Sequence, residues 1–417
     1  GCPAAPSGGT FGEREMITES KQVSLAVDGL QQRLADKVAE VARQPEHSWA
    51  DGFCSFMAEP DGRHVLRVGA THCPPDMDIW QGLRSPAQVG MYPIGLEDIW
   101  MHYAAANVRS TRADGSPNPL AMPEPFADAM ERFKRAVIIS GMLAMNPTVY
   151  ETYAGKIERG DADPPDDYCR ARGEVSKLIN KAVGRLALSL MAPNRAVVPM
   201  TGDNAGKVID GTRSAYTKGK YHGPCNNAYP QNSIAVMTGL LRFGVSRLPF
   251  RDELGPDGQV RRLMGQYASV VIFDDHSPAG DNGDGVTLLE PDRLGRMRRV
   301  NDYADAAEDV VADRYCTYNL RGADGDGACR KCIKVCPSGA LAHSSPDVDG
   351  AYSQKQLSQK HRFSGGTLDF DAGNCGRERG QKAQLYAEYV CARCEAICAA
   401  RGIRKSPEEI ARINAPA

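Results

Sequence analysis

Apolar residues at Val23, Val27, Leu30, Leu34, Val38 and Val41 recur at helical spacing, which predicts an amphipathic helix ending before Pro45. Two longer helices are expected, from about Glu124 to Met145, stopped by Asn146-Pro147, and from about Gly173 to Met191, stopped by Pro193. Pro164 and Pro165 mark the linker between them. A further helix is expected from Gly202 to Tyr216 with Asp203 as its cap, and a short apolar helical run from Ser233 to Phe243 finishes at Gly244. The run Ala268-Ser269-Val270-Val271-Ile272-Phe273 has the β-branched density of a buried strand, bounded by Gly265 and Asp274-Asp275, and should be central in a sheet. A hairpin-like turn at Glu59-Pro60-Asp61-Gly62 precedes the strand-like run Val65 to Val68, and Pro-broken loops carry Trp80, Tyr92 and Trp100. Residues 1–20, rich in Gly, Pro and Ser, read as an extended arm. The class is mixed, α+β or α/β.

At 417 residues the chain is large enough for one elaborate domain or two modest ones. Its 50 basic and 52 acidic side chains leave a net charge of −2, which gives no electrostatic reason to expect nucleic acid or an anionic membrane surface as partner. No apolar stretch approaches the length of a membrane span. A start at Gly1-Cys2 reads as removal of a preceding segment or as a late start, with a lipid-modified Cys2 as the alternative.

The chemistry is concentrated in the last quarter. Of 13 cysteines, eight form two near-copies of one pattern: Cys316, Cys329, Cys332 and Cys336, then Cys375, Cys391, Cys394 and Cys398. Each copy closes as Cys-x2-Cys-x3-Cys with an outlying cysteine upstream, so eight thiolates are available, the number that two 4Fe–4S clusters require. Zinc is the main alternative, because paired Cys-x2-Cys motifs also hold that ion. The third close cysteine in each copy and Pro337 directly after Cys336 favour clusters. Disulfides or free thiols are the remaining reading. In two-cluster ferredoxins the last cysteine of a run ligates the partner cluster. That rule assigns Cys316, Cys329, Cys332 and Cys398 to one cluster and Cys336, Cys375, Cys391 and Cys394 to the other.

The other five, Cys2, Cys54, Cys73, Cys169 and Cys225, lie at no metal-like spacing and read as buried apolar thiols. Cys54 and Cys73 flank the Val65 to Val68 run, which allows a disulfide in an oxidising compartment. Two Asp/Gly-rich stretches, Asp281 to Gly285 and Ala323 to Gly327, lack the Glu of a calcium loop and read as tight turns. The second would fold Cys316 back toward Cys329.

From about Asn204 to Cys398 the chain resembles the corrinoid-dependent reductive dehalogenases and, more distantly, epoxyqueuosine reductase. The residues that carry the resemblance begin with Asn232-Ser233-Ile234, opening a short helix to Gly239, then Phe243-Gly244 and Arg247-Leu248-Pro249. Gly265-Gln266-Tyr267 follows, leading through the strand to Asp274-Asp275-His276-Ser277-Pro278, and the paired cysteine motifs close the match. The chain departs from that family in the displaced Cys316 and in lacking a basic residue on the strand after Gly265.

The resemblance implies a nitroreductase-like α/β core over residues 21–300 that binds base-off cobalamin and substrate, followed by a ferredoxin-like two-cluster domain over 301–417. It implies reductive removal of halide from an organohalide, with a low-potential donor such as ferredoxin, flavodoxin or a quinol-linked membrane partner. Tyr221 and Tyr229 are the candidate proton donors, with Arg262 as a cation favouring the phenolate. Asn232, Ser233 and His276 are the candidate corrinoid contacts, and His222 or His276 could donate the proton instead. A structural role competes for each. Trp80, Tyr92, Trp100 and Tyr103 would pack in the core or line an apolar pocket. An extracytoplasmic location is favoured, with the cytoplasm as alternative. The competing function is a non-catalytic dicluster electron-transfer subunit; action on transfer RNA is disfavoured by the slight acidity of the chain.

Overall fold

Residues 135–144 carry apolar side chains on both faces of an extended segment, and that double burial organises the molecule. The computed structural model describes residues 23–43, 54–73, 135–161, 163–191, 195–200, 231, 234–235, 238–243, 248–274, 286–291, 297–299, 329–337, 339, 341–343, 360–362, 368–371 and 391–414. Its first half contains β1 (Val23–Ala26), α1 (Val27–Ala42), β2 (Leu66–Cys73), β3 (Arg135–Ala144), α2 (Pro147–Glu158), α3 (Asp166–Ser189) and β4 (Arg195–Met200). Then come β5 (Arg242–Phe243), β6 (Pro249–Leu254), β7 (Val260–Leu263), β8 (Gly265–Asp274), β9 (Val286–Pro291) and β10 (Met297–Arg299). The cysteine-rich region adds α4 (Lys331–Lys334), β11 (Leu341–His343), β12 (Lys360–Arg362), β13 (Leu368–Asp371), α5 (Arg393–Arg401) and α6 (Pro407–Asn414).

The principal sheet has four antiparallel strands in the order β2-β3-β8-β4, with Ile139 opposite Val270 and Ser140 opposite Ser269. One face packs on α1 and α3, which contribute Leu30, Leu34, Val38 and Val41, and Val175, Leu178, Ile179, Ala182 and Leu186. The other face buries Met142 and Ala144 against Val65, Leu240, Leu241 and Leu263. Three-stranded sheets β1-β9-β10, β5-β6-β7 and β11-β13-β12 complete the described strands. Among the described residues no helix is long and apolar enough to cross a membrane.

The β8 segment forms a strand and lies inside the sheet, as its β-branched run and glycine boundary predict. The turn at Glu59 to Gly62 is also formed, with Ala58 bridged to His64 and Gly62 at φ 83°. Where a helix over residues 124–145 was expected, residues 135–144 are strand β3. A strand enclosed on both faces shows no alternation, so its apolar run carries no period to distinguish it from a buried helix. Asn146-Pro147 opens α2 instead of closing a helix: Asn146 Oδ1 accepts from the Thr148 N–H at 3.0 Å, and the proline occupies the first turn. The helix expected from Gly173 starts earlier, at Asp166 directly after Pro165. Val23 to Ala26 form β1, paired parallel with β9, ahead of the amphipathic helix. In the Ser233 to Phe243 run, Ile234 and Ala235 are helical, Gly239 turns the chain at φ 72°, and Arg242 and Phe243 are strand.

Cys54 is disulfide-bonded, but not to Cys73. The Cys54 carbonyl accepts from Asn146 Nδ2 at 2.8 Å, whereas Cys73 stands opposite Ala136 at the far end of β3. Strand rise puts these positions roughly 30 Å apart, against a disulfide Cα separation of no more than about 7 Å. The expected helix at 202–216, both Asp/Gly turns, the arm at 1–20 and the aromatic residues Trp80, Tyr92, Trp100 and Tyr103 lie outside the described residues.

Helix α1 approaches the sheet closely because Gly141 has no side chain; a Cβ there would fall 2.2 Å from Leu34 Cδ2. Gly141→Ala is expected to cost about 1–3 kcal/mol by overpacking, and Leu34→Ala about 2–5 kcal/mol by leaving a cavity. In urea unfolding the double variant should be more stable than the sum of the two losses, because the alanine methyl occupies space that Leu34 vacates; strict additivity would contradict this contact.

Candidate metal centre

The two cysteine runs take the same local form. Cys329 lies two residues before α4, Cys332 in its first turn and Cys336 just beyond its end. Cys391 lies two residues before α5, Cys394 in its first turn and Cys398 one turn later. Cys329, Cys332 and Cys398 are buried, and Cys336, Cys391 and Cys394 are half-buried; none of the six is in a disulfide. Helix α4 packs on α5, and α5 packs on α2. The cysteines therefore adjoin the main apolar core, which includes Cys332 and Cys398 themselves. Ala392, between Cys391 and Cys394, has a left-handed φ of 46°, a conformation that a non-glycine residue holds only where its surroundings impose it.

Those surroundings are polar contacts along α5, buried or part-buried at its start and exposed at its end. The Tyr153 hydroxyl donates to the Cys391 carbonyl at 2.6 Å. Glu395 accepts from the Tyr150 hydroxyl at 3.2 Å and from Arg172 Nη1 at 3.1 Å. At the other end of the helix Arg401 pairs with Glu158 at 2.9 Å and with Glu151. Burial, reinforced by the Glu395 charge, pushes the Tyr150 and Tyr168 phenols well above their ordinary value. Burial does the same to Tyr153. These three tyrosines remain protonated and hold position.

Arg262 meets the second run from the opposite side. Its Nε and Nη2 bind the two Asp252 oxygens at 2.7 and 2.9 Å, a bidentate pair. Its Nη1 donates to the Cys398 carbonyl at 3.1 Å and lies 3.2 Å from Cys398 Sγ, and Nη2 reaches the Ile403 carbonyl at 3.2 Å. Lys405 Nζ shares Asp252 at 2.7 Å. The side chains of Asp252 and Lys405 are fully enclosed and that of Arg262 is 2% exposed. Phe250 lies beneath both cations, its ring centre 4.2 Å from Arg262 Cζ and 5.1 Å from Lys405 Nζ. Arg404 donates to the carbonyls of Cys398, Gly402 and Ala399.

Arg262 was expected to act on a tyrosine. Tyr221 and Tyr229, the tyrosines named for that role, lie outside the described residues; the contacts seen for Arg262 include Asp252, the Cys398 sulfur and carbonyl, the Ile403 carbonyl and the Phe250 ring. His222, Asn232, Ser233, His276, Cys316 and Cys375 also lie outside the described residues. The contacts of Tyr150, Tyr153, Arg172, Asp252, Glu395 and Lys405 with the cysteine helix were not foreseen. Their local sequence, such as Arg251-Asp252-Glu253 or Arg404-Lys405-Ser406, gives no signal that marks them.

Among the described residues no three Cys, His, Asp or Glu side chains converge on a single point as ligands of one ion. The thiolates of a four-iron cube each bind a different iron, so they surround the cube instead of meeting at one atom. The donor set fits that group: six cysteines outside any disulfide, in two equivalent helix-start placements, one of them with a guanidinium N–H on its sulfur. Cys329, Cys332 and Cys398 would hold one cluster, and Cys336, Cys391 and Cys394 the other, with Cys316 and Cys375 as the remaining ligands. No protein-family model, curated protein or solved structure gives a significant match to this chain.

Burial alone would raise the Asp252 carboxyl, but the hydrogen bonds and charges of Arg262 and Lys405 hold it below its usual range. The stability that Asp252 contributes is therefore complete above its unfolded value, about 3.9, and is lost as the pH falls through the depressed folded value. Asp252→Asn is expected to cost about 3–5 kcal/mol in urea unfolding at neutral pH, and to flatten the acid limb of the stability profile. A loss below 1 kcal/mol would show that the cations do not depend on Asp252.

Proposed function

We propose that this chain is an iron–sulfur oxidoreductase that passes electrons through two 4Fe–4S clusters to a corrinoid and removes halide reductively from an organohalide. The observation that carries the electron-handling reading is the pair of Cys-x2-Cys-x3-Cys runs, set at equivalent positions on packed helices with none of their sulfurs in a disulfide. Two one-electron centres side by side suit a reaction that consumes electrons in pairs. Breaking the carbon–halogen bond takes two electrons and one proton, forms a carbon–hydrogen bond and releases halide. The corrinoid, when bound, supplies the carbon–halogen chemistry that no side chain provides. The chain's own residues hold the cluster ligands, exclude water from Cys329, Cys332 and Cys398, and anchor α5 through Tyr153, Glu395 and Arg262.

The corrinoid half rests on the resemblance of residues 204–398 to the reductive dehalogenases. Tyr221 or Tyr229 is proposed to provide the proton, and Asn232, Ser233 and His276 to contact the corrinoid. A soluble ferredoxin or flavodoxin, or a quinol-linked membrane partner, is proposed as the donor, on the outer face of the membrane. The cysteine runs support a second reading equally, a dicluster electron-transfer subunit, because they need no corrinoid to carry electrons.

Anaerobically purified protein should contain about eight iron and eight acid-labile sulfide per chain, together with one cobalt. Zinc in place of iron would end both readings. Iron and sulfide without cobalt or extractable corrinoid would leave the electron-transfer subunit.

A further inference from the structure

We propose that Arg262 is a tuning residue that raises the reduction potential of one of the two clusters, the one that Cys398 ligates, and so makes the pair unequal. The inference rests on the two-cluster reading above and goes beyond it by assigning direction to the pair. One guanidinium edge is held on Asp252 by two hydrogen bonds, 2.7 and 2.9 Å, which fixes the plane of the group. That plane presents Nη1 to Cys398 Sγ at 3.2 Å and to the Cys398 carbonyl at 3.1 Å. Gly402 makes the approach sterically feasible: a Cβ there would fall 2.3 Å from Nη1 and 2.4 Å from the Cys398 carbonyl oxygen.

Adding an electron to a cluster places negative charge on its sulfurs. An N–H donor already aimed at a ligand sulfur therefore binds the reduced form more strongly than the oxidised one, and the potential rises. Burial sharpens the effect, because a charge-assisted hydrogen bond in an enclosed site is stronger than one in water. Under the crossed ligand assignment this cluster also takes Cys316, Cys329 and Cys332. With the other cluster left at lower potential, an electron arriving there runs downhill to the Cys398 cluster.

Arg262→Lys separates tuning from scaffolding. Lysine preserves a cation for Asp252, but a single ammonium cannot replace the planar fork that serves Asp252 and Cys398 together. Potentiometric titration of the holoprotein followed by electron paramagnetic resonance should show one midpoint moved negative, on the order of tenfold in the redox equilibrium constant, about 59 mV for one electron. The other midpoint, the iron and sulfide content and the circular dichroism should be unchanged. Gly402→Ala keeps the arginine but crowds Nη1 off the sulfur, and should move the same midpoint in the same direction.

Unchanged midpoints with full iron content in both variants would overturn the tuning role while leaving the two-cluster reading intact. Loss of iron from both would overturn it in favour of a purely structural arginine. Wild-type protein with zinc and no iron would remove the two-cluster reading and this inference together.

Discussion

The buried contact of Arg262 with Asp252 and Cys398 ties sheet and cysteine helix into one unit. Asp252 and Arg262 face each other across the β6–β7 hairpin, and Lys405 comes from the segment after α5. Two cations and an acid enclosed together are expensive to desolvate unless their hydrogen bonds are satisfied. Here the acid receives three, and the surplus guanidinium edge is directed to the Cys398 sulfur and to backbone carbonyls. A core built in this way favours the placement of α5 seen here, in which the arginine's hydrogen bonds to Cys398 and Ile403 are made.

A second set of contacts positions the opposite end of the same helix. Tyr153 and Tyr150 project from α2 and Arg172 from α3 toward Cys391 and Glu395. Helix α3 packs on the principal sheet and α2 packs on α3, so the geometry of a C-terminal cysteine run is inherited from a core built mostly of residues 135–191 and 265–274. The left-handed Ala392 sits inside this clamp.

Local grammar was legible where it was unambiguous. The β8 segment combined β-branched residues with Gly265 and Asp274 as boundaries, and its place inside the sheet follows from apolarity on both faces. The equivalent run in β3 lacked those boundary residues within a strand's length, and Asn146-Pro147 serves equally to end one helix or begin another. Here the capping hydrogen bond to Thr148, invisible in the sequence, decides. The cysteine spacings were readable because the same local pattern recurs twice along the chain. Their supports were not, because Arg262 and Cys398 stand 136 residues apart, Arg172 and Glu395 223, and Tyr150 and Glu395 245. Only the tertiary fold brings them together.

The seating of α5 on α2 has a consequence for biogenesis. A metal-binding tail that hung from a linker could acquire its cofactor after the rest of the chain had folded. Here Ala396, Cys398 and Ala399 close the apolar interior that α2 and α3 begin. On the iron–sulfur reading proposed above, filling the site and closing the hydrophobic interior would be coupled, so that a chain without its clusters would leave the apolar side of α5 poorly covered.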